Sequence, residues 1–296
     1  MSLIMEENAY AKINLYLHVT GKRADGYHLL DSLAVFPEIG DKLTVQAADE
    51  DQKTWVALDI TGPFSGPLKN EATDNNLIIK AAHRLSTYIG MDLPPVQLHL
   101  EKMLPVASGI GGGSADGAAA LRLLTRYWNL EIPAAVMTDM ALQLGADVPV
   151  CMTPVAQRME GIGEQLSKFP IIPDFGMVLV NHGEAVPTAD IFRRRDPVFS
   201  DRAVLNGQLD FEKFIQNLLT LSNDLQDAAC SLKPEILTVL DAIKVLPFCR
   251  FSRMSGSGAT CFGIFESKAQ AVQAAKLLSE RYPSWWIWGG KGQVND

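Results

Sequence analysis

Four glycines in five residues, Gly109-Ile110-Gly111-Gly112-Gly113, run directly into an alanine-rich stretch with helical spacing from Ser114 to about Trp128. Glycine loses more backbone freedom on ordering than any other residue, so such a cluster is costly unless something must approach the main chain closely. The helix behind it points its unpaired N–H groups, and the positive end of its dipole, back at the loop. Loop and helix together form an anion site made of backbone, suited to the phosphates of a nucleotide. Ser114 stands where an N-cap would, so its hydroxyl is placed to cap the helix, bind phosphate or approach a metal.

Two phosphate-binding patterns of other folds do not fit. A Walker loop ends in Gly-Lys followed by Ser or Thr, and no such triplet follows these glycines. A dinucleotide fingerprint is partly mimicked by Gly109-Ile110-Gly111, but residue 114 is Ser rather than Gly. That fingerprint also closes the first strand of its domain, whereas this loop comes after five strand-like segments.

The first of those segments is Tyr10–Val19. Ala11, Ile13, Leu15, Leu17 and Val19 alternate with Tyr10, Lys12, Asn14, Tyr16 and His18, which predicts a strand with one buried apolar face. Gly21–Gly26 reads as a turn and Tyr27–Phe36 as the returning strand; residues 41–47, 55–60 and 96–100 add more. Asp74-Asn75-Asn76 opens a helix from Leu77, and Pro133 opens another that ends near Gly145. Gly161, Gly163, Pro170 and Pro173 punctuate residues 155–175, where the domain boundary is expected. Beyond it come a strand at 177–181, helices at 211–221 and 234–245, strands at 248–254 and 260–265, a helix at 268–280 and a strand at 285–288. Trp285, Trp286 and Trp288 are expected in the core of this second domain. Strands and helices mix without a regular βαβ beat, so the fold class is α+β.

A chain of 296 residues suits two modest domains, here 1–160 and 161–296. The formal net charge of -8 provides no basic field for nucleic acid, so an anionic ligand needs a local site. Cys151, Cys230, Cys249 and Cys261 form no C-x-x-C pair, which fits reduced thiols in the cytoplasm. Met1–Asn8 carries Glu6 and Glu7 and does not read as a signal peptide. No run approaches the roughly 20 apolar residues of a membrane span.

The run Pro105-x-x-x-Gly109-Ile-Gly-Gly-Gly-Ser114 resembles the central phosphate-binding motif of the GHMP kinases. Ala11-Lys-Ile-Asn14 and Met254-Ser-Gly-Ser-Gly-Ala-Thr260 match that superfamily's other two motifs, in the same order. Gly21-Lys-Arg-Ala-Asp-Gly-Tyr-His28 and Leu144-Gly-Ala-Asp-Val-Pro149 are similar to the branch acting on 4-diphosphocytidyl-2-C-methyl-D-erythritol. Val106-Ala107-Ser108, where many members have Gly or Met, departs modestly from the pattern. The resemblance implies an N-terminal domain like ribosomal protein S5 domain 2, a ferredoxin-like C-terminal domain, and an active site in the cleft between them. It implies transfer of the γ-phosphoryl of ATP, with Mg²⁺, to the 2-hydroxyl of that substrate in non-mevalonate isoprenoid synthesis.

The same resemblance assigns the site residues. Asp147 is the base and Lys12 its charged partner. Asn14, Tyr27, His28, Thr188 and Phe192 bind substrate, with Tyr27 and Phe192 stacking on the cytosine and His28 hydrogen-bonded to it. Asn76, Lys102, Pro105, Gly109, Ile110, Gly111, Gly112, Gly113, Ser114, Gly256 and Gly258 serve ATP, and Ser114 is the candidate metal ligand. The expected partners are ATP and the cytidine diphosphate substrate, without nucleic acid or membrane, in a monomer or weak homodimer. The alternatives are a GHMP kinase for another alcohol such as mevalonate or homoserine, a non-catalytic ligand sensor of the same fold, and a dinucleotide-dependent oxidoreductase.

Overall fold

The computed structural model describes residues 3–70, 75–169, 172–205 and 210–294; Asp74 and Pro170, singled out above, lie outside them. In chain order β1 (Met5–Tyr10), β2 (Ile13–Lys22), β3 (His28–Val35), β4 (Gly40–Ala47) and β5 (Val56–Thr61) precede α1 (Leu77–Ile89) and β6 (Val96–Glu101). Next come α2 (Gly112–Tyr127), α3 (Ala134–Leu144), the short α4 (Val148–Cys151), β7 (Gln157–Gly161), β8 (Gln165–Lys168) and β9 (Gly176–Asn181). Helices α5 (Thr188–Arg194), α6 (Phe211–Leu219), α7 (Gln226–Leu232) and α8 (Glu235–Lys244) follow. The last described elements are β10 (Phe251–Met254), β11 (Cys261–Phe265), α9 (Lys268–Arg281) and β12 (Trp286–Lys291). No described helix is long and apolar enough to cross a membrane.

The chain divides into two compact units that interleave along the sequence. One takes the residues up to Ala11, Gly40–Val106 and Gly111–Thr153; the other takes Lys12–Ile39, Ala107–Ile110 and the residues from Pro154. The chain therefore passes between units inside the glycine loop, at Ile110–Gly111.

In the first unit the sheet order is β1-β4-β6-β5, antiparallel except for the parallel pair β5/β6. Helix α2 packs on β1 and β4, with α1 against its other side. Small residues permit that closeness: Ala115, Ala118, Ala119 and Ala120 are all buried. A Cβ added to Gly117 would stand 3.1 Å from Leu77 Cβ. The alanine-rich composition thus serves helix–helix approach as well as helix propensity.

The second unit has two antiparallel sheets, β2-β3-β7-β8 and β10-β11-β9-β12. Leu17 and Val19 of β2 join Val178, Val180, Ile236, Ile243, Cys261 and Leu278 in one buried cluster. Here the alternation of Tyr10–Val19 misleads in two respects. The strand breaks at Ala11-Lys12, and both faces of β2 are buried, with Asn14, Tyr16 and His18 at 2%, 0% and 8% exposure. Periodicity reports which side chains share a face, not what covers that face. The polar side is covered by hydrogen-bonded neighbours: Tyr16 Oη donates to Asp31 Oδ1 at 3.0 Å, and His18 Nδ1 lies 2.8 Å from the Asp201 carbonyl.

Other elements differ from the sequence reading. Residues 155–175 hold the hairpin β7/β8, and α5 and α7 are too short, at 7 residues each, to show a helical period. The tryptophans lie at the rim of the core rather than within it. Trp285, Trp286 and Trp288 are partly exposed, and Trp285 stacks on Tyr282 at 3.9 Å between centroids.

Candidate functional site

Helix α2 begins at the glycines. Gly111 is its N-cap, in the left-handed region at φ 66°, and no side chain caps the first turn. Ser114 is therefore not the N-cap: it is the third helical residue, because the glycines themselves provide the turn into the helix. Ala115 N–H donates to the Gly111 carbonyl at 2.8 Å. The N–H groups of Gly112, Gly113 and Ser114 precede that first helical bond and form the positive end of the dipole. A Cβ on Gly113 would meet nothing within 4 Å, so the main chain there is open to a ligand.

Behind this turn lies a charge cluster that sequence spacing does not reveal. Lys102 Nζ donates to Asp41 Oδ2 at 2.5 Å and to Asp116 Oδ2 at 2.7 Å, all three side chains being buried. Asp41 Oδ1 accepts the N–H groups of Met103 and Leu104 at 2.6 and 2.8 Å. Asp116 Oδ1 is buried without a hydrogen-bond partner. Burial, joined by the neighbouring Asp41 charge, pushes the Asp116 carboxyl up to about 7 against the pull of Lys102. Burial alone would lower the Lys102 ammonium, but the two carboxylates outweigh it and hold it above the usual lysine range. A Cβ on Gly112 would stand 3.3 Å from Lys102 Nζ, which places this lysine immediately behind the first turn of α2.

Asn76 plays a structural part as the N-cap of α1, where its Oδ1 accepts the Ile78 N–H at 2.9 Å. Pro105 is buried before the loop. Asp147 occupies the N-cap position of α4, half-buried, with Pro149 at the second helical residue and no side-chain capping bond.

The second unit brings together Lys12–Asn14, the first half of the glycine loop and the 254–260 turn. Three successive carbonyls of the loop are held there: Ser108 O accepts Thr260 N–H at 3.1 Å, Gly109 O accepts Ser255 Oγ–H at 3.4 Å, and Ile110 O accepts Lys12 N–H at 2.9 Å. With its carbonyls turned inward, the loop is fixed up to the residue where α2 begins. Lys12 is 4% exposed and lies in the break between β1 and β2. Asn14 donates its backbone N–H to Ser255 Oγ at 3.1 Å and its Nδ2 to Ser32 Oγ at 2.8 Å. Gly256 approaches so closely that a Cβ would be 3.3 Å from Asn14 Oδ1, and Gly258 adopts φ +83°.

On the substrate side His28 stacks on Phe192, with ring centroids 4.9 Å apart and planes 22° from parallel. Tyr27, its neighbour in sequence, is 60% exposed. Burial chiefly, then the charges of Arg195 and Lys22, lower the His28 pKa below its ordinary value, so the ring is neutral at pH 7. Thr188, the first residue of α5, shares a 2.8 Å hydroxyl–hydroxyl hydrogen bond with Ser257 of the third glycine motif. The same helix thus carries the stacked aromatic and touches the turn that supports the loop.

Sequence reasoning missed Asp41, Asp116 and Ser255, and two asparagines that hold the 254–260 turn: Asn181, whose Nδ2 donates to Thr260 Oγ1 at 2.9 Å, and Asn223, whose Nδ2 donates to the Met254 and Gly256 carbonyls. Of these, Ser255 and Asp116 stand inside or beside recognised motifs. Nothing in the spacing of Asp41, Asn181 or Asn223 marks them, since their partners are distant in sequence.

A mixed α+β chain, a backbone anion site and two interlocked glycine turns, with Lys12 bonded to the first, fit a class of phosphotransferase. The GHMP kinases N terminal domain model matches residues 76–154 and the GHMP kinases C terminal model matches residues 208–284. The chain belongs to the GHMP kinases, ATP-dependent kinases of small molecules. It is 53% identical to 4-diphosphocytidyl-2-C-methyl-D-erythritol kinase of Gluconacetobacter diazotrophicus, over 97% of this chain and 94% of that one. It is 46% identical to the kinase of that name from Granulibacter bethesdensis, over 97% and 95%. A crystal structure of 4-(cytidine 5'-diphospho)-2C-methyl-D-erythritol kinase superposes with a TM-score of 0.79 at 30% identity, covering 98% of this chain and 100% of that one.

Proposed function

We propose that this chain phosphorylates the 2-hydroxyl of 4-diphosphocytidyl-2-C-methyl-D-erythritol with ATP, giving the 2-phosphate and ADP, as a step of non-mevalonate isoprenoid synthesis. The observation that carries this reading is the 53% identity, across 97% of the chain, to a kinase of that name. The stacked His28–Phe192 pair beside an exposed Tyr27 supports it, because a pyrimidine ring is bound by aromatic faces and by a neutral imidazole at its edge.

Phosphoryl transfer needs positioning and charge stabilisation rather than a covalent intermediate. The N–H groups at the start of α2 bind the ATP phosphates, with Pro105, Gly109, Ile110, Gly111, Gly112, Gly113 and Ser114 shaping the approach. Gly256 and Gly258 support them, and Asn76 and Lys102 line the nucleotide side. Asp147 accepts the proton of the attacking hydroxyl, and Lys12 supplies positive charge for the oxygen that loses it. Asn14, Tyr27, His28, Thr188 and Phe192 orient the substrate. Mg²⁺ takes few protein oxygens and several phosphate oxygens, so the Ser114 hydroxyl in the first turn of α2 fits as its protein ligand. When bound, the ion neutralises charge on the transferring phosphate.

The extents 1–160 and 161–296 are proposed for the two sequence domains, supported by a family match lying within each, with Lys12–Ile39 and Ala107–Ile110 of the first belonging to the second compact unit. Cytoplasmic location and a monomer or weak homodimer complete the reading. The test is ADP release from Mg-ATP with the cytidyl substrate, mevalonate, homoserine or galactose. Release that depends on the cytidyl substrate is expected. Stimulation by another alcohol instead, or ligand binding with no ADP formed, would replace this reading with a different GHMP kinase or a sensor.

A further inference from the structure

We propose that Asn223 is a positioning residue for the ATP-phosphate loop, acting through Ser255; this rests on the kinase reading above. Asn223 is 7% exposed, and its amide is saturated in a way that requires asparagine. Nδ2 donates to the carbonyls of Met254 and Gly256, each at 2.8 Å, and Oδ1 accepts the Leu225 N–H at 3.0 Å. The two carbonyls flank Ser255. Ser255 is fully buried and is pinned again by its own N–H to Thr260 O and by Gly258 N–H to its carbonyl, both at 2.9 Å.

Asn223 is itself rigidly mounted. Its two chain neighbours are hydrogen-bonded to β2: Leu17 N–H donates to Ser222 O at 3.0 Å, and Asp224 N–H donates to Leu17 O at 2.9 Å. Asp224 Oδ2 also accepts the Val19 N–H at 2.7 Å. The same strand sends its Asn14 N–H to Ser255 Oγ. A closed circuit results, from β2 through Asn223 to the turn, and from Ser255 Oγ back to β2. Its outlet is the bond from Ser255 Oγ to the Gly109 carbonyl.

That outlet is the side-chain contact among the three holding the successive loop carbonyls 108, 109 and 110, the other two being backbone bonds. A substitution can therefore cut it without altering the main chain. Asp at 223 keeps the shape and the acceptor for Leu225 but replaces both donors with an oxygen facing two carbonyls, which repels the turn it should hold.

The test uses the full chain with Asn223→Asp, Ser255→Ala and the double variant. Mg-ATP affinity is read by calorimetry, kcat and KM by ADP release, and folding by thermal melts, with assays run well below each midpoint. Each single variant is expected to weaken Mg-ATP binding about tenfold, the equivalent of one hydrogen bond. The double variant is expected to lose little more than the worse single one, since both cut a single relay. Unchanged ATP affinity in folded Asn223→Asp would overturn the inference, and so would losses that add in the double variant. If Asn223→Asp fails to fold, Ser255→Ala decides alone, and wild-type ATP affinity in it would overturn the relay. No cytidyl-dependent ADP release from the wild type would instead sink the kinase reading and leave the ATP-affinity arm interpretable.

Discussion

Gly109 and Gly258 pass so close that a Cβ on Gly109 would stand 2.4 Å from the Gly258 carbonyl oxygen. Gly109 also adopts φ +76°, where an L side chain is strained. Two glycines from different motifs thus create the crossing that locks the loop against the third motif. Gly109→Ala is expected to destabilise the protein by about 2 kcal/mol or more, from backbone strain plus displacement of the crossing. Denaturant melts check this; a wild-type midpoint would mean the crossing is not tight.

Gly113 is the opposite case. It sits inside α2 with nothing near its would-be Cβ, so alanine there removes a glycine from a helix, a gain of up to about 1 kcal/mol. The added methyl would point into the space where phosphate should approach. Gly113→Ala is expected to melt at or above the wild-type temperature while KM for ATP rises about tenfold or more. Unchanged ATP kinetics would place the phosphates elsewhere.

His28 provides a pH handle. Its pKa lies below the ordinary 6.5, through burial first and then Arg195 and Lys22, so the folded state binds this proton less readily than the unfolded chain. Stability from this group is therefore present above pH 6.5 and lost as pH falls through the lowered folded value. KM for the cytidyl substrate should be flat above pH 6.5 and rise below it. The imidazole midpoint, followed by NMR, should move upward in Lys22→Gln; a midpoint above 6.5 in the wild type would refute the assignment.

The loop and several strand segments around it are legible in the sequence because glycine clustering and alternation are local signals, whereas the order of strands in each sheet is not. The helix from Leu77 is legible too, since Asx residues before an apolar run are an adjacent start signal; the structure makes Asn76, which the resemblance gave to ATP, its cap. Ser114 looks like a cap because the sequence does not show that the cap falls three residues earlier, at Gly111. The buried polar face of β2 is illegible for a different reason. Its partners, Asp31, Ser32, Asp201 and Ser222, become neighbours only when distant segments fold over the strand. Asp41 and Asp116 are hidden in the same way, Asp41 lying 61 residues from Lys102.

Lys102, Asp41 and Asp116 place one ammonium between two buried carboxylates, so the cluster carries an excess negative charge when both acids are ionised. The Asp116 carboxyl rises to about 7 under burial, which means the folded state holds this proton more tightly than the unfolded chain. Its contribution to stability is fully present below about pH 4, the unfolded value, and is lost as pH rises through about 7. Asp116→Asn mimics the protonated acid, keeps an acceptor for Lys102 and should flatten that slope. The variant is expected to gain on the wild type as pH rises from 5 and to be the more stable of the two at pH 8.5. Lys102→Met leaves both acids buried without their cation and should cost about 3–5 kcal/mol at pH 8.5, with partial recovery on acidification. Urea melts of the three proteins from pH 5 to 8.5 decide it. An Asp116→Asn penalty as large at pH 8.5 as at pH 5 would show that Asp116 is held ionised by Lys102 throughout.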